Sequence, residues 1–385
     1  MAKMTFVGAG SYGTAVASHF AKNSQNEVML FGRNREVADE INRDQTNSKY
    51  LGTHKVSHHL KATSGLQDAV QGADFLFIAV PAQEVRNVTR LLKDVIKNDS
   101  VVINLAKGIE VESLKRMSQV ISEELKGLNF GFDVMTLSGP SFAEDVVNPE
   151  KSVALTLGGK NRRRLKSVRN LLHSDSFRVF ACKDLVGVEM GGALKNVFAI
   201  MAGIMKGAGE GNSYLGEFIP RALVEIDTIK RYFGARRDTS RAVSSLGDLI
   251  ISCSEASRNF RFGRAYSECC SRAKPGDDAV KMAFDAIGNK TVEGYYTLRG
   301  IYRFVDEKNM FAPIVRELYD ILYDSQRTGK GPTDAIASFR QADSLRTWEN
   351  LRTYSRMLGS IFPQFWYRRY TAGWKAIKKE ILKNR

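Results

Sequence analysis

Three ionisable residues sit where ordinary solvated charges do not. Lys195 lies within the helical stretch GVEMGGALKNVFAIMAGI, with apolar flanks and with Gly191 and Gly192 one turn before it. Helical glycines are about 1 kcal/mol worse than alanine, and they suit a place where a ligand approaches the backbone. Lys107, in NLAKGIE, follows an apolar strand at its C-terminal end, where open parallel sheets bind their ligands. Either lysine alone reads as a snorkelling surface side chain; two together depress each other's pKa and make one a better acid near neutrality. Asp248, in SLGDLIISC, is an isolated acid in an apolar segment. Such an acid has a charged partner or caps a helix. Further on, SRNFRFGR (257–264) gathers Ser257, Arg258, Asn259 and Arg261, a set that suits a phosphate or else forms a charged loop.

A proton donor beside a carbonyl matters if a hydride donor is at hand, and the start of the chain supplies one. Gly8, Gly10 and Gly13 form G-x-G-x-x-G between a strand and a helix. Gly8 permits the tight turn, Gly10 lets a pyrophosphate approach the backbone, and Gly13 lets helix and strand pack closely. The helix N-terminus then faces the anion. The second strand ends in FGRNRE, with Arg33 and no carboxylate before Glu36. That composition accepts a 2′-phosphate, so NADPH as well as NADH is expected. Histidine, the usual partner for hydride transfer, is poorly placed: His19 lies in the first helix, His54, His58 and His59 in a polar loop, His173 near a helix end, and none beyond. A lysine is therefore the expected donor.

The elements that position these groups follow from periodicity. Apolar runs at 27–33, 73–81, 101–108 and 133–140 alternate with amphipathic stretches, and SVALTLGG and FRVFAC continue the series. This predicts an α/β dinucleotide-binding (Rossmann-type) domain with a parallel sheet covered on both faces. From about Leu185 the pattern is helical with no following strand, which predicts a cofactor domain over 1–184, an all-α catalytic domain over 185–340 and an extension over 341–385. The run VFAIMAGIM (197–205) is too short to span a bilayer. Four cysteines show neither a disulfide framework nor zinc-type spacing, so no metal is expected and a cytoplasmic setting fits. A net charge of +15 favours anionic partners.

In order along the chain, GAGSYGTA, AVPA, AKGIE, SGPSFAED, GVEMGGALKNVFAIMAGI, GDLIISCSEASRNFRFG and VEGYYT resemble the NAD(P)-dependent glycerol-3-phosphate dehydrogenase family, bacterial type, over roughly residues 3 to 335. The resemblance implies reversible reduction of dihydroxyacetone phosphate to sn-glycerol 3-phosphate, a product that supplies the glycerolipid backbone, and it implies a homodimer. Lys195 matches the catalytic lysine, and Lys107 the lysine that meets substrate and cofactor. Asp248, Ser257, Arg258 and Asn259 match the substrate set, with Asn196 beside the catalytic lysine. Gly139 and Ser141 match substrate-side loop positions, and Ser11, Tyr12, Arg33, Ala143, Arg258 and Glu293 match cofactor positions. The chain departs from the family pattern at SSLGD, where GLAGLGD is usual, and at Ser252, where some relatives have threonine.

Two other function classes stand beside this one. Another lysine-dependent hydroxyacid dehydrogenase would share the two-domain plan, but SRNFRFG and SGPSFAED argue against it. A non-catalytic NADPH-binding sensor or nucleic-acid module would suit the charge, yet no nucleic-acid motif is present. The resemblance leaves about 45 residues unexplained. Trp348, Trp366 and Trp374 lie there, and Tyr370, Trp374, Ile377 and Ile381 share a helical face amid Arg368, Arg369, Lys375, Lys378, Lys379 and Lys383. Such a helix rests on a membrane surface, or docks on its own domain or a dimer partner; both readings stand.

Overall fold

Strands form where the expected apolar runs lie, because residues alternate between two covered faces: in β5 (Ser100–Asn104), Val101 and Ile103 enter one core and Val102 the other. The computed structural model describes residues 2–96, 99–128, 131–274 and 277–337. The tryptophans and basic residues of the extension lie outside the described residues. The other strands are β1 (Ala2–Val7), β2 (Asn26–Phe31), β3 (Lys61–Thr63), β4 (Phe75–Ile78), β6 (Phe132–Ser138), β7 (Val153–Gly158) and β8 (Phe177–Cys182), in one sheet ordered β3-β2-β1-β4-β5-β6-β7-β8. Between and beside them run α1 (Ser11–Ala21), α2 (Arg35–Asp44), α3 (Ser48–Leu51), α4 (Leu66–Val70), α5 (Val85–Lys93), α6 (Met117–Glu124), α7 (Ala143–Val147) and α8 (Arg162–Leu172).

The expected all-parallel sheet needs one correction: β7 pairs antiparallel with β6, and β8 follows β7 in parallel. The physical reason lies in the connection. α7 has five residues, about 7 Å of helix, whereas a strand the length of β6 spans about 23 Å. The chain therefore turns back at the same end of the sheet.

After β8 the described chain is helical: α9 (Leu185–Gly207), α10 (Tyr214–Tyr232), α11 (Asp248–Ser252), α12 (Arg258–Cys270), α13 (Ala279–Ala286), α14 (Glu293–Glu307), α15 (Pro313–Tyr323) and α16 (Ser325–Thr328). α9 corrects a second expectation. The apolar run is part of a 23-residue helix, long and apolar enough by composition to cross a membrane, but 94% of its most apolar window is buried inside the protein. It is the core helix of this half.

α9 and α12 cross with their backbones touching. A Cβ on Gly203 would lie 2.0 Å from the Phe260 carbonyl oxygen, and one on Gly263 would lie 2.0 Å from that of Ile200. On its other side α9 carries Glu189, whose buried carboxylate accepts from the Ser118 N–H at 2.7 Å and the Ser118 hydroxyl at 2.7 Å and pairs with Arg116. This ties α9 to the first turn of α6. Removing one member of a buried ion pair strands the other charge, so Glu189→Ala is expected to destabilise the fold by about 3–5 kcal/mol. Urea unfolding measures it, and a loss under about 1 kcal/mol would mean that Arg116 finds water instead.

Candidate active site

The glycine turn joins β1 to α1. Gly8 adopts φ +125°, and a Cβ there would lie 2.6 Å from the Ala79 carbonyl oxygen. A Cβ on Gly13 would lie 2.1 Å from the Gly8 oxygen, so packing explains both glycines. Gly10 differs: its φ of −74° suits any residue, and a Cβ there would meet no atom within 4 Å. The fold does not need glycine at position 10; a ligand close to the backbone does. No side chain caps α1, which leaves its first N–H groups for an anion. The residues thus fit the pyrophosphate of a dinucleotide. Ser11 and Tyr12 open the helix, Ala143 opens α7 and packs against the same core, and Arg33 is exposed just past β2.

The two lysines and the aspartate converge. Lys107 follows β5 in a segment fixed by Asn104, whose side chain accepts from the Ala106 N–H at 3.1 Å and donates to the Ala106 oxygen at 2.9 Å. Lys107 Nζ donates to the Gly139 carbonyl at 2.9 Å and to Asp248 Oδ2 at 2.6 Å. Lys195 Nζ lies 3.1 Å from Asp248 Oδ1 and donates to Ser252 Oγ at 2.6 Å. Asp248, first residue of α11, is fully buried between the two ammonium groups. Two cations on one carboxylate leave the group with one net positive charge, suited to an anionic substrate.

Lys195 is buried, and its pKa is lowered to about 8. Burial is the largest cause; Asp248 pulls the value up and Lys107 pushes it down. Mutual repulsion of the lysines, expected from the sequence, is therefore the smaller influence. The glycines beside Lys195 also serve another purpose than the expected one. A Cβ on Gly191 would lie 2.1 Å from Ser245 Oγ, and one on Gly192 would lie 2.4 Å from Ser138 Oγ. Protein side chains fill the space that was assigned to a ligand.

The polar cluster divides its labour. Ser257 caps α12, accepting from the Phe260 N–H. Asn259 donates to Asn196 Oδ1 at 3.0 Å and accepts from the Gly294 N–H at 2.9 Å, which locks α9, α12 and α14 together. Arg258 makes no hydrogen bond or salt bridge among the described residues and faces solvent. Glu293 begins α14; burial raises its carboxyl to about pH 7, opposed by the Ala82 backbone and by Arg258. Gly139, at φ +155°, turns the loop after β6 that carries Ser141.

Sequence reasoning noted Ser252 only as a departure, although it lies four residues after Asp248 and so on the same helical face. The Gly139 carbonyl as a lysine acceptor leaves no side-chain signal at all.

Residues 3–164 match the family described as NAD-dependent glycerol-3-phosphate dehydrogenase N-terminus, and residues 184–332 match the corresponding C-terminus. The glycerol-3-phosphate dehydrogenase (NAD(P)+) of Clostridium botulinum (strain Alaska E43 / Type E3) is 34% identical over 332 residues, covering 86% of this chain and 96% of the relative. That of Staphylococcus aureus (strain bovine RF122 / ET3-1) is 34% identical over 326 residues, covering 84% of this chain and 95% of the relative. The crystal structure of glycerol-3-phosphate dehydrogenase from Coxiella burnetii superposes with a TM-score of 0.78 at 28% identity, over 87% of this chain and 98% of that one.

Proposed function

The chain belongs to the NAD-dependent glycerol-3-phosphate dehydrogenase family, and we propose that within its reaction Lys195 is the proton donor. The protein reversibly reduces dihydroxyacetone phosphate to sn-glycerol 3-phosphate with NADH or NADPH. The observation that carries the assignment of Lys195 is the convergence of Lys107 and Lys195 on the buried Asp248.

An ammonium group has three donors. Lys195 places one on Ser252 and faces Asp248 with another, which leaves one for the substrate's carbonyl oxygen. The dinucleotide on the glycine turn supplies the hydride. Charge that develops on the carbonyl oxygen meets the positive lysine pair, and the proton passes from Lys195 Nζ to that oxygen, leaving a neutral amine. Asp248 keeps both ammonium groups in place throughout. Arg258 takes the phosphate, while Asn196, Ser257 and Asn259 fix the helix ends around it. Arg33 reads a 2′-phosphate, and residues 1–184 serve as the cofactor-binding half against a catalytic half over 185–340.

The test is oxidation of NADH and NADPH followed at 340 nm with dihydroxyacetone phosphate, across pH. Reduction needs the protonated lysine, so its kcat/KM is flat at low pH and falls about tenfold per unit above pH 8. Glycerol 3-phosphate oxidation needs the neutral amine, so it rises with pH and levels off above about 8. No turnover with either cofactor would refute the reaction; turnover without this opposed pair of profiles would remove Lys195 as the acid. Homodimerisation, a cytoplasmic location and membrane contact through 341–385 belong to the same proposal. Liposome co-sedimentation of the full chain against one ending at residue 340 separates a membrane-surface extension from a docked one.

A further inference from the structure

The loop after β6 is held from two directions. Ser141 Oγ donates to the Gly139 carbonyl at 3.1 Å. A hydroxyl has one proton to give, so across the 2.8 Å contact between Ser141 Oγ and Tyr12 the phenol is the donor. The same Gly139 carbonyl accepts from Lys107 Nζ at 2.9 Å. Lys107 continues to Asp248, and Asp248 to Lys195. A directed series of polar contacts therefore links the second residue of α1 to the proton donor.

We propose that Tyr12 is a positioning residue, whose hydroxyl couples occupation of the glycine turn to the order of the substrate loop and, through Gly139, to Lys107. The proposal rests on the reading of the turn as the cofactor site and of the loop as a substrate contact. Its physical basis is that one residue serves both places. The Tyr12 N–H is among the uncapped donors at the start of α1, so an anion seated there fixes the main chain that carries the ring. The ring packs against the core of the cofactor-binding half, which leaves the phenol little freedom except toward Ser141. Burial, the largest cause, raises the phenol's pKa, so it remains a donor across the working pH range. At the other end of the loop, Gly139 has no slack: a Cβ there would lie 2.7 Å from the Ala154 carbonyl oxygen. Ser141 is the member whose hydroxyl depends on Tyr12.

The experiment is a binding cycle with NADPH and sn-glycerol 3-phosphate, two reduced compounds that do not react with each other. Calorimetry gives the Kd of each with and without saturating amounts of the other. In the unaltered protein each ligand is expected to tighten the other by about tenfold, the same factor in both directions. In Tyr12→Phe the factor is expected to fall to about one, with the Kd of NADPH alone unchanged and the KM of dihydroxyacetone phosphate raised more than kcat is lowered. A purely structural role would weaken both ligands without touching the factor. Ser141→Ala removes the acceptor of the same bond and is expected to lose the same coupling, so it decides the matter if Tyr12→Phe does not fold. Coupling retained in the folded variant, or absent from the unaltered protein while both ligands bind, overturns the role of Tyr12. Failure of the unaltered protein to bind either ligand overturns the site reading, and the proposal with it.

Discussion

Lys195→Ala is expected to lower kcat for dihydroxyacetone phosphate reduction by about 10²–10⁴-fold, with NADPH binding unchanged. The substitution removes the only donor that the buried Asp248 and Ser252 aim at the substrate. It leaves the turn at Gly8–Gly13 and the first turn of α1 untouched, so cofactor titration provides the internal control. Asp248 keeps Lys107 as its counter-ion at 2.6 Å, and the carboxylate is not stranded. Small primary amines fit the space that the side chain vacates, and they are expected to restore part of the rate in proportion to the concentration of the protonated amine. Near-normal turnover in the variant would mean that the proton comes from elsewhere, and Lys107 would be the next group to remove.

Arg258→Ala is expected to raise the KM of dihydroxyacetone phosphate by roughly 10²-fold, the loss of a charge-assisted contact to phosphate. Its neighbours are committed elsewhere: Ser257 to the helix cap and Asn259 to Asn196 and Gly294. They cannot replace a guanidinium. The discriminating comparison is with unphosphorylated dihydroxyacetone, for which variant and unaltered protein should perform alike. Arg258→Lys keeps the charge and loses the fork, so it should fall between. An unchanged KM in the alanine variant would move the phosphate away from α12.

Much of this arrangement was legible in the residues. The glycine turn, the alternating apolar runs and the lysine inside an apolar helix each carry a local signal. What stayed hidden is tertiary. The runs at 73–81, 101–108 and 133–140 extend past the strands that form, which end at Ile78, Asn104 and Ser138. The surplus residues are the loops that reach the site, and a hydropathy pattern cannot tell a buried loop from a strand end. The reversed direction of β7 depends on how far α7 carries the chain, which no local pattern records. Gly191 and Gly192 look like ligand-approach glycines until Ser245 and Ser138, from distant segments, are seen to fill the space. Glu189 reads as an ordinary helix charge, and only the fold brings Ser118 and Arg116 to it.

The crossing of α9 and α12 has a bearing on which molecules can react. One helix carries the proton donor and the other the guanidinium, and they meet glycine to backbone at Gly203 and Gly263, with no side chain between them. The span from donor to guanidinium is thus a caliper whose jaws are set by main chain. A substrate must place its carbonyl and its phosphate at that one opening, and a longer sugar phosphate would have to force apart two backbones that have nothing compressible between them. Selection by length would then survive most exchanges of the residues lining the cleft, and would relax only when the joint between the helices is itself rebuilt.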